Sequence, residues 1–218
     1  MSLQEIPKQR LDATIKDLLM SSVLSGDFNQ GEILNINEIA QKCGVSRTPV
    51  VQALKILTSA GVFAVSDTGK VYLPSFTIQQ VIDLSKVRIA MESLAVREVC
   101  VRASDEDFDL LDKLIKDCDY HFNKRNSLEF RKADFLIHTT LVQLSENEYL
   151  TGAYTNILNQ FIVANNLRAS NDLFSNVSIT EHRLLLDEMR HRSVEKAEQL
   201  ITLHIQNSAN QIIALMNT

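Results

Sequence analysis

Apolar residues recur along most of the chain at three- and four-residue intervals, the spacing that lines one face of a helix. Ile6, Ile15, Leu18, Leu19 and Val23 predict a first helix from Pro7 to Ser25, closed by the turn-rich run Gly26-Asp27-Phe28-Asn29-Gln30-Gly31. A short helix is expected at about Asn37 to Cys43 and another from Arg47 to Ala60, with Gly44 breaking the chain between them. Ser46 stands where an N-cap belongs, Pro49 falls in the first turn where its missing N–H costs little, and Gly61 suits the stop. The period then changes. Val62-Phe63-Ala64-Val65 and Val71-Tyr72-Leu73 flank Ser66-Asp67-Thr68-Gly69-Lys70 and read as a β-hairpin. After Pro74-Ser75-Phe76 the pattern is helical throughout. Thr77 with Gln80 forms a capping box opening a helix to about Val101; Ser104 caps one to about Arg125 and Ser127 one to about Leu144. Further helices run from about Asn147 to Ala169 and Ser178 to His191, and Ser193 caps the last, to about Met216. The expected fold is mainly α: an N-terminal winged helix-turn-helix over 1–74 and a C-terminal antiparallel bundle of six helices over 75–218.

Composition narrows the class. The 218 residues are 45% hydrophobic and 22% charged, which supports a real core and excludes disordered and low-complexity classes. No apolar run approaches the roughly 18 residues that span a bilayer, and the start, Met1-Ser2-Leu3-Gln4-Glu5, lacks the pattern of a signal peptide. Cys43, Cys100 and Cys118 are odd in number and widely spaced, which argues against a disulfide framework and for a reducing cytoplasm. The net charge of −5 gives no bulk support to nucleic-acid binding. It is unevenly spread, however. Seven basic and seven acidic residues balance through Pro74, so the whole excess lies beyond it.

The paired helices supply the first candidate chemistry. Ala40 is small where two helices must approach, and Gly44 can take the left-handed conformation that turns the chain. Ile36, Ile39, Val45, Val50, Leu54 and Leu57 face inward. The second helix then presents Ser46, Arg47, Thr48, Val51, Gln52 and Lys55. Arg47 suits a guanine edge or a phosphate, Gln52 an adenine edge, and Ser46 and Thr48 phosphates at the helix start. The hairpin would be the wing, with Gly69 and Lys70 at its tip. A plain αα-corner has the same helical spacing; the hairpin that follows favours the DNA-binding reading.

These residues carry a resemblance. Gly31-Glu32-Ile33-Leu34, Ile39-Ala40, Gly44-Val45-Ser46-Arg47-Thr48-Pro49-Val50, Ala53-Leu54 and Gly61 make the first 74 residues similar to the DNA-binding domain of GntR-type bacterial transcriptional regulators. That family usually has a second arginine four residues after the first, followed by glutamate, where this chain has Val51-Gln52; Asn37 stands where members often place a basic contact. The resemblance implies a double-stranded DNA operator read by a homodimer. The departures imply an unusual operator or weaker binding.

A second constellation lies in the helical part. Asp134 and His138 are four residues apart on one predicted helix and share a face. His182 lies among Ile179, Leu186 and Met189, and His204 among Ala197, Leu200, Ile201 and Ile205, both on apolar stripes. Three imidazoles and a carboxylate converging in a bundle suit a divalent transition metal (Zn, Ni, Mn or Fe), although a lone histidine on such a stripe is more often a hydrogen-bonded core residue. Arg88 interrupts the stripe Val81, Leu84, Met91, Ala95 and needs an anion, either Glu92 or Asp134 within the chain or the carboxylate of a bound effector. Asn165 follows Tyr154, Ile157 and Phe161, lining a cavity or satisfying a backbone group.

From about Thr77 to Met216 the chain resembles the FadR C-terminal (FCD) domain of the same regulators, through Val87-Arg88 with Glu92, Asp134-Phe135-Leu136-Ile137-His138, Asn147-Glu148-Tyr149-Leu150, Glu181-His182-Arg183 and His204. The resemblance maps the metal ligands of that domain onto Asp134, His138, His182 and His204. It implies a regulator whose operator binding responds to a small organic acid held near the metal by Arg88 and Asn165. A direct metal sensor and a mononuclear metal hydrolase are the alternatives; no spare carboxylate or histidine stands out as a general base for the latter.

Overall fold

A computed structural model describes residues 8–170 and 176–217. Its first helix, α1 (Lys8–Ser25), buries Ile15, Leu19 and Val23, whereas Leu18, counted above with the apolar stripe, is 49% exposed. Pro7 and Ile6 lie outside the described residues. Helix α2 (Ile36–Lys42) is capped by Asn35, whose side chain accepts from the amides of Asn37 and Glu38. Gly44 turns the chain at φ +65°, and α3 (Arg47–Ser59) follows. Ser46 occupies the N-cap in extended geometry but makes no side-chain cap bond. Helix α3 ends in a Schellman motif: Gly61 sits at φ +79°, with Val62 N–H donating to Leu57 O and Gly61 N–H to Thr58 O. That motif explains why the hairpin is shorter than its sequence pattern. The amide of Val62 is committed to the helix end, so the ladder begins only at β1 (Ala64–Val65), paired antiparallel with β2 (Val71–Tyr72). Val62 and Phe63 are core residues instead. The segment 31–34 also pairs with the wing, through Leu34 N–H to Val71 O and Leu73 N–H to Glu32 O, an element the alternation pattern did not reveal.

The remaining helices are α4 (Ile78–Arg102), α5 (Asp105–Asn123), α6 (Ser127–Leu144), α7 (Glu148–Ser170), α8 (Val177–Arg190) and α9 (Val194–Met216), the expected six. Capping boxes at Thr77/Gln80 and Ser104/Asp107 start α4 and α5. Asn126, not Ser127, caps α6: its Oδ1 accepts from the Glu129 amide, and Ser127 is already helical. Ser193 precedes α9 without a side-chain cap bond. Helix α4 runs through the bundle against α6, α7 and α9, while α7 also packs on α1. One apolar core is continuous through both parts of the chain. Cys100 and Cys118 are buried in the bundle and Cys43 is half-buried at the end of α2. Burial pushes the Cys100 thiol up to about 11 and raises that of Cys118 as well.

Candidate functional site

Two sites emerge, one in each half. In the first, Val50, Ala53, Leu54 and Leu57 bury one side of α3, which turns Ser46, Arg47, Thr48, Gln52 and Lys55 outward to solvent. Gly69 and Lys70 are exposed at the wing tip, where Gly69 takes φ +77° and Ser66 Oγ accepts from the Lys70 amide. Arg47 and Lys70 line a single groove together with Asn35, Asn37 and Gly69. Lys16 is paired with Asp17 and Lys42 with Glu38, whereas Arg47, Lys55 and Lys70 make no ion pair among the described residues. A segment with no net charge therefore presents three uncommitted cations, two of them lining one groove, which is the electrostatics a phosphate backbone requires.

The second site lies where α6, α8 and α9 converge. His138, His182 and His204 are 2%, 1% and 4% exposed, and one ligand nitrogen from each falls within 4.8 Å of the others. Asp134 stands beside this group, its Oδ1 3.8 Å from His182 Nδ1. The protonation of two rings follows from their neighbours. Burial would raise the Glu92 carboxyl, but the charge of Arg88, together with His138 and Tyr154, holds it well below the usual carboxylate range. Glu92 Oε2 therefore accepts from His138 Nδ1 at 2.7 Å. Glu181 is treated likewise by His204 and Asn207 against its own burial, and its Oε2 accepts from His204 Nδ1 at 2.7 Å. With both Nδ1 atoms so engaged, the Nε2 atoms of His138 and His204 are left facing each other at 3.1 Å.

Two imidazole nitrogens this close share either a proton or a metal cation. About 3.3 Å separates two imidazole nitrogens on a tetrahedral zinc ion with bonds of about 2.0–2.1 Å. The third ring agrees with this reading. Both nitrogens of His182 and Oδ1 of Asp134 are buried without a hydrogen-bond partner. Burial, followed by the neighbouring imidazoles, keeps His182 well below the ordinary histidine range and hence neutral, the form a metal binds. The donor set thus fits a divalent transition metal: His138, His182 and His204 would hold it with Asp134 adjacent. Such an ion would offer open coordination positions to the carboxylate of a ligand.

Arg88 resolves toward its internal partner. It is 1% exposed, its Nε donates to Glu92 Oε1 at 2.7 Å, its Nη2 lies 2.6 Å from the same oxygen, and its guanidinium stacks 4.2 Å over the Phe161 ring. The cavity next to the histidines, about 30 Å³, is lined instead by Arg131 and Arg168, with Asp134, Asn165, Glu181 and His204. Asn165 lies where a cavity-lining residue was expected, and its Oδ1 accepts from Arg168 at 3.4 Å. Sequence reasoning overlooked Glu181, Arg131 and Arg168. The spacing Glu181-His182 gave no hint, since adjacent helical residues point about 100° apart. Arg131, three residues before Asp134, carried a legible signal of a shared helix face.

Comparison with known proteins identifies the family. Residues 11–70 match the bacterial regulatory proteins of the gntR family and residues 83–207 match the FCD domain. The chain belongs to the GntR family of bacterial regulatory proteins and is a DNA-binding transcriptional regulator with an FCD domain. It is 25% identical over 195 residues to the uncharacterized HTH-type transcriptional regulator YdhC of Bacillus subtilis, covering 89% of this chain and 87% of that protein. It is 27% identical to the Nta operon transcriptional regulator of Aminobacter aminovorans, covering 88% and 90%. Among solved structures, E. coli McbR/YncC superposes with a TM-score of 0.80 at 17% identity, covering 94% of this chain and 97% of that one. No helix among the described residues is long and apolar enough to cross a membrane.

Proposed function

We propose that this regulator binds a small organic acid beside a divalent transition metal held by His138, His182, His204 and Asp134, and that the acid's presence sets operator affinity. The observation that carries the reading is the pair of Nε2 atoms turned toward each other at 3.1 Å, with the unpartnered nitrogens of His182 close by, beside a cavity lined by two arginines. The metal is Zn, Ni, Mn or Fe. The effector's carboxylate head meets Asn165, Arg131 and Arg168, while Arg88 acts from behind, through Glu92, on the orientation of His138. Residues 1–74 are the DNA-binding domain and 75–218 the effector and dimerisation domain. A cytoplasmic homodimer places two copies of Arg47, Lys55 and Lys70, with Ser46, Thr48, Gln52 and Gly69, along a two-fold operator.

The small cavity favours one further reading, that the metal ion itself is the signal. A hydrolase is not favoured: the carboxylates nearest the imidazoles, Glu92 and Glu181, are both engaged by them. Purified protein is to be assayed for bound metal by mass spectrometry, and its operator affinity compared metal-free, zinc-loaded, and zinc-loaded with a panel of small carboxylic acids. Affinity that responds to an acid only with metal present supports the proposal. Affinity graded by metal alone supports the sensor, and a protein that takes up no metal refutes both.

A further inference from the structure

Helix α7 carries two chemically distinct faces. At about 100° per residue, Tyr154, Phe161, Asn165 and Arg168 fall within about 60° of one another, and Asn156, Asn159, Val163 and Asn166 lie on the opposite side. The first face serves the metal centre. Tyr154 donates to Glu92 at 2.8 Å, Phe161 underlies Arg88, and Asn165 and Arg168 line the cavity. The second face grips the winged module at separate points. Asn159 Nδ2 donates to the carbonyl of Ala60, the residue that caps the recognition helix, at 3.0 Å. Asn166 Nδ2 donates to Val23 O of α1 at 2.9 Å. Gln30 Nε2 returns a bond to Val163 O at 3.0 Å. Asn156 abuts Gly61, where an added Cβ would meet its amide at 3.0 Å.

The polarity of this contact is informative. Apolar surfaces slide over one another at little cost, whereas a buried amide that loses its partner is penalised. Asn166 is 1% exposed and Asn159 9%. Bonds to α3, to α1 and to the loop between α1 and α2 tie three separate parts of the winged module to one helix, so together they hold its placement more firmly than a single contact would. We propose that this face of α7 is a latch that sets the angle of the winged module on the bundle. Through it, the state of the metal and effector cavity on the opposite face reaches the recognition helix. The holding role stands on the contacts alone; the transmitting role rests on the reading under Proposed function.

The test uses the full chain in a Cys43→Ser background with spin labels on cysteines introduced at the exposed positions Asp67, in the wing, and Val101, in the bundle. The unaltered latch gives one narrow inter-label distance distribution. Asn159→Ala/Asn166→Ala broadens it at least twofold, and Gln30→Ala, a loop change that leaves both cores intact, broadens it less. Operator affinity is then measured on a duplex selected from a random pool, and the ratio is taken between metal-free protein and zinc-loaded protein with or without each acid of the same panel. A ratio in the roughly 5–150-fold range usual for coupled sites falls to within about twofold of one in the double variant, while zinc affinity is retained. Unchanged distributions in both variants overturn the latch. Broadened distributions with an unchanged ratio overturn its transmitting role. If neither zinc alone nor zinc with any acid of the panel changes the operator affinity of the unaltered chain, the coupled reading fails and the distance widths decide the latch by themselves.

Discussion

Replacing Glu92 by glutamine separates the two tasks of one carboxylate. Glu92 is fully buried and accepts from Arg88 Nε at 2.7 Å, from Tyr154 at 2.8 Å and from His138 Nδ1 at 2.7 Å. Glutamine keeps the volume but leaves Arg88, itself 1% exposed, without a counter-charge. Removing one partner of a buried ion pair costs about 3–5 kcal/mol, a large share of the roughly 5–15 kcal/mol that holds a typical protein folded. At about 2–4 °C per kcal/mol for a chain of this size, the melting temperature falls by about 6–20 °C. The all-apolar variant Arg88→Met/Glu92→Met/Tyr154→Phe behaves differently. Exchange of a buried ion pair for packed hydrophobes is neutral or gains about 1–4 kcal/mol, which offsets the about 1–3 kcal/mol for a His138 Nδ1 left without its acceptor. This variant therefore stays within about 2 kcal/mol of the natural protein. It nonetheless loses the group that orients His138, and its zinc affinity drops about 10–100-fold. Urea denaturation with chelator present reads the first quantity, and competition against a chromophoric chelator reads the second. A cost under about 1 kcal/mol for Glu92→Gln, set against the 3–5 above, or zinc bound by the triple variant as tightly as by the natural chain, would refute the reasoning.

Acid should destabilise the metal-free protein through His138 and His182, which burial, the leading cause for each, holds below the ordinary value of 6.5. The unfolded chain then takes up protons first, so stability is complete above about pH 7 and is lost as pH falls below about 6.5 toward the folded values. The two rings together give up to about 2.7 kcal/mol of loss between pH 7.5 and 5.5 in urea titrations, and His182→Gln halves it; equal stability at the two pH values contradicts the assignment. With Arg47 on a base edge, Lys55 and Lys70 give four phosphate contacts in a dimer and a slope of log affinity against log salt of about −4. Lys70→Ala reduces that slope by about 2, whereas Arg47→Ala costs about 1–3 kcal/mol and relaxes base preference at one operator position, measured by fluorescence anisotropy. Gly61→Ala, forced into φ +79° and against Asn156, costs about 1–2 kcal/mol in thermal unfolding; a neutral result means the Schellman turn has relaxed.

Local chemistry made much of the fold legible. The capping boxes at Thr77/Gln80 and Ser104/Asp107 each need only four consecutive residues, and both form as read. Asn126 against Ser127 could not be separated, because both side chains cap well and only the backbone geometry decides which residue is the first in the helix. Leu18 was misjudged because α1 buries a narrower stripe than its apolar residues suggest. The segment 31–34 pairs with the wing across long sequence separation, and nothing in its own composition announces that. At the histidine cluster, helical periodicity identified the faces that carry His138, His182 and His204. It was silent on Glu181, which reaches His204 from another helix, and it left the partner of Arg88 open until packing brought Glu92 onto the guanidinium. Asn156, Asn159 and Asn166 of α7 were invisible for the same reason: an amide reads as ordinary helix surface until a second domain is laid against it.

The placement of the three sulfhydryl groups has a practical corollary. Alkylating reagents and peroxide attack the deprotonated sulfur, and the two thiols inside the bundle are kept protonated and out of reach. Maleimide added to the native fold at neutral pH is thus expected to couple once per polypeptide, at Cys43, and mass spectrometry should show a single adduct until denaturant is added. The natural chain comes with a ready-made attachment point for a dye on its winged half, at the end of α2, without any engineering.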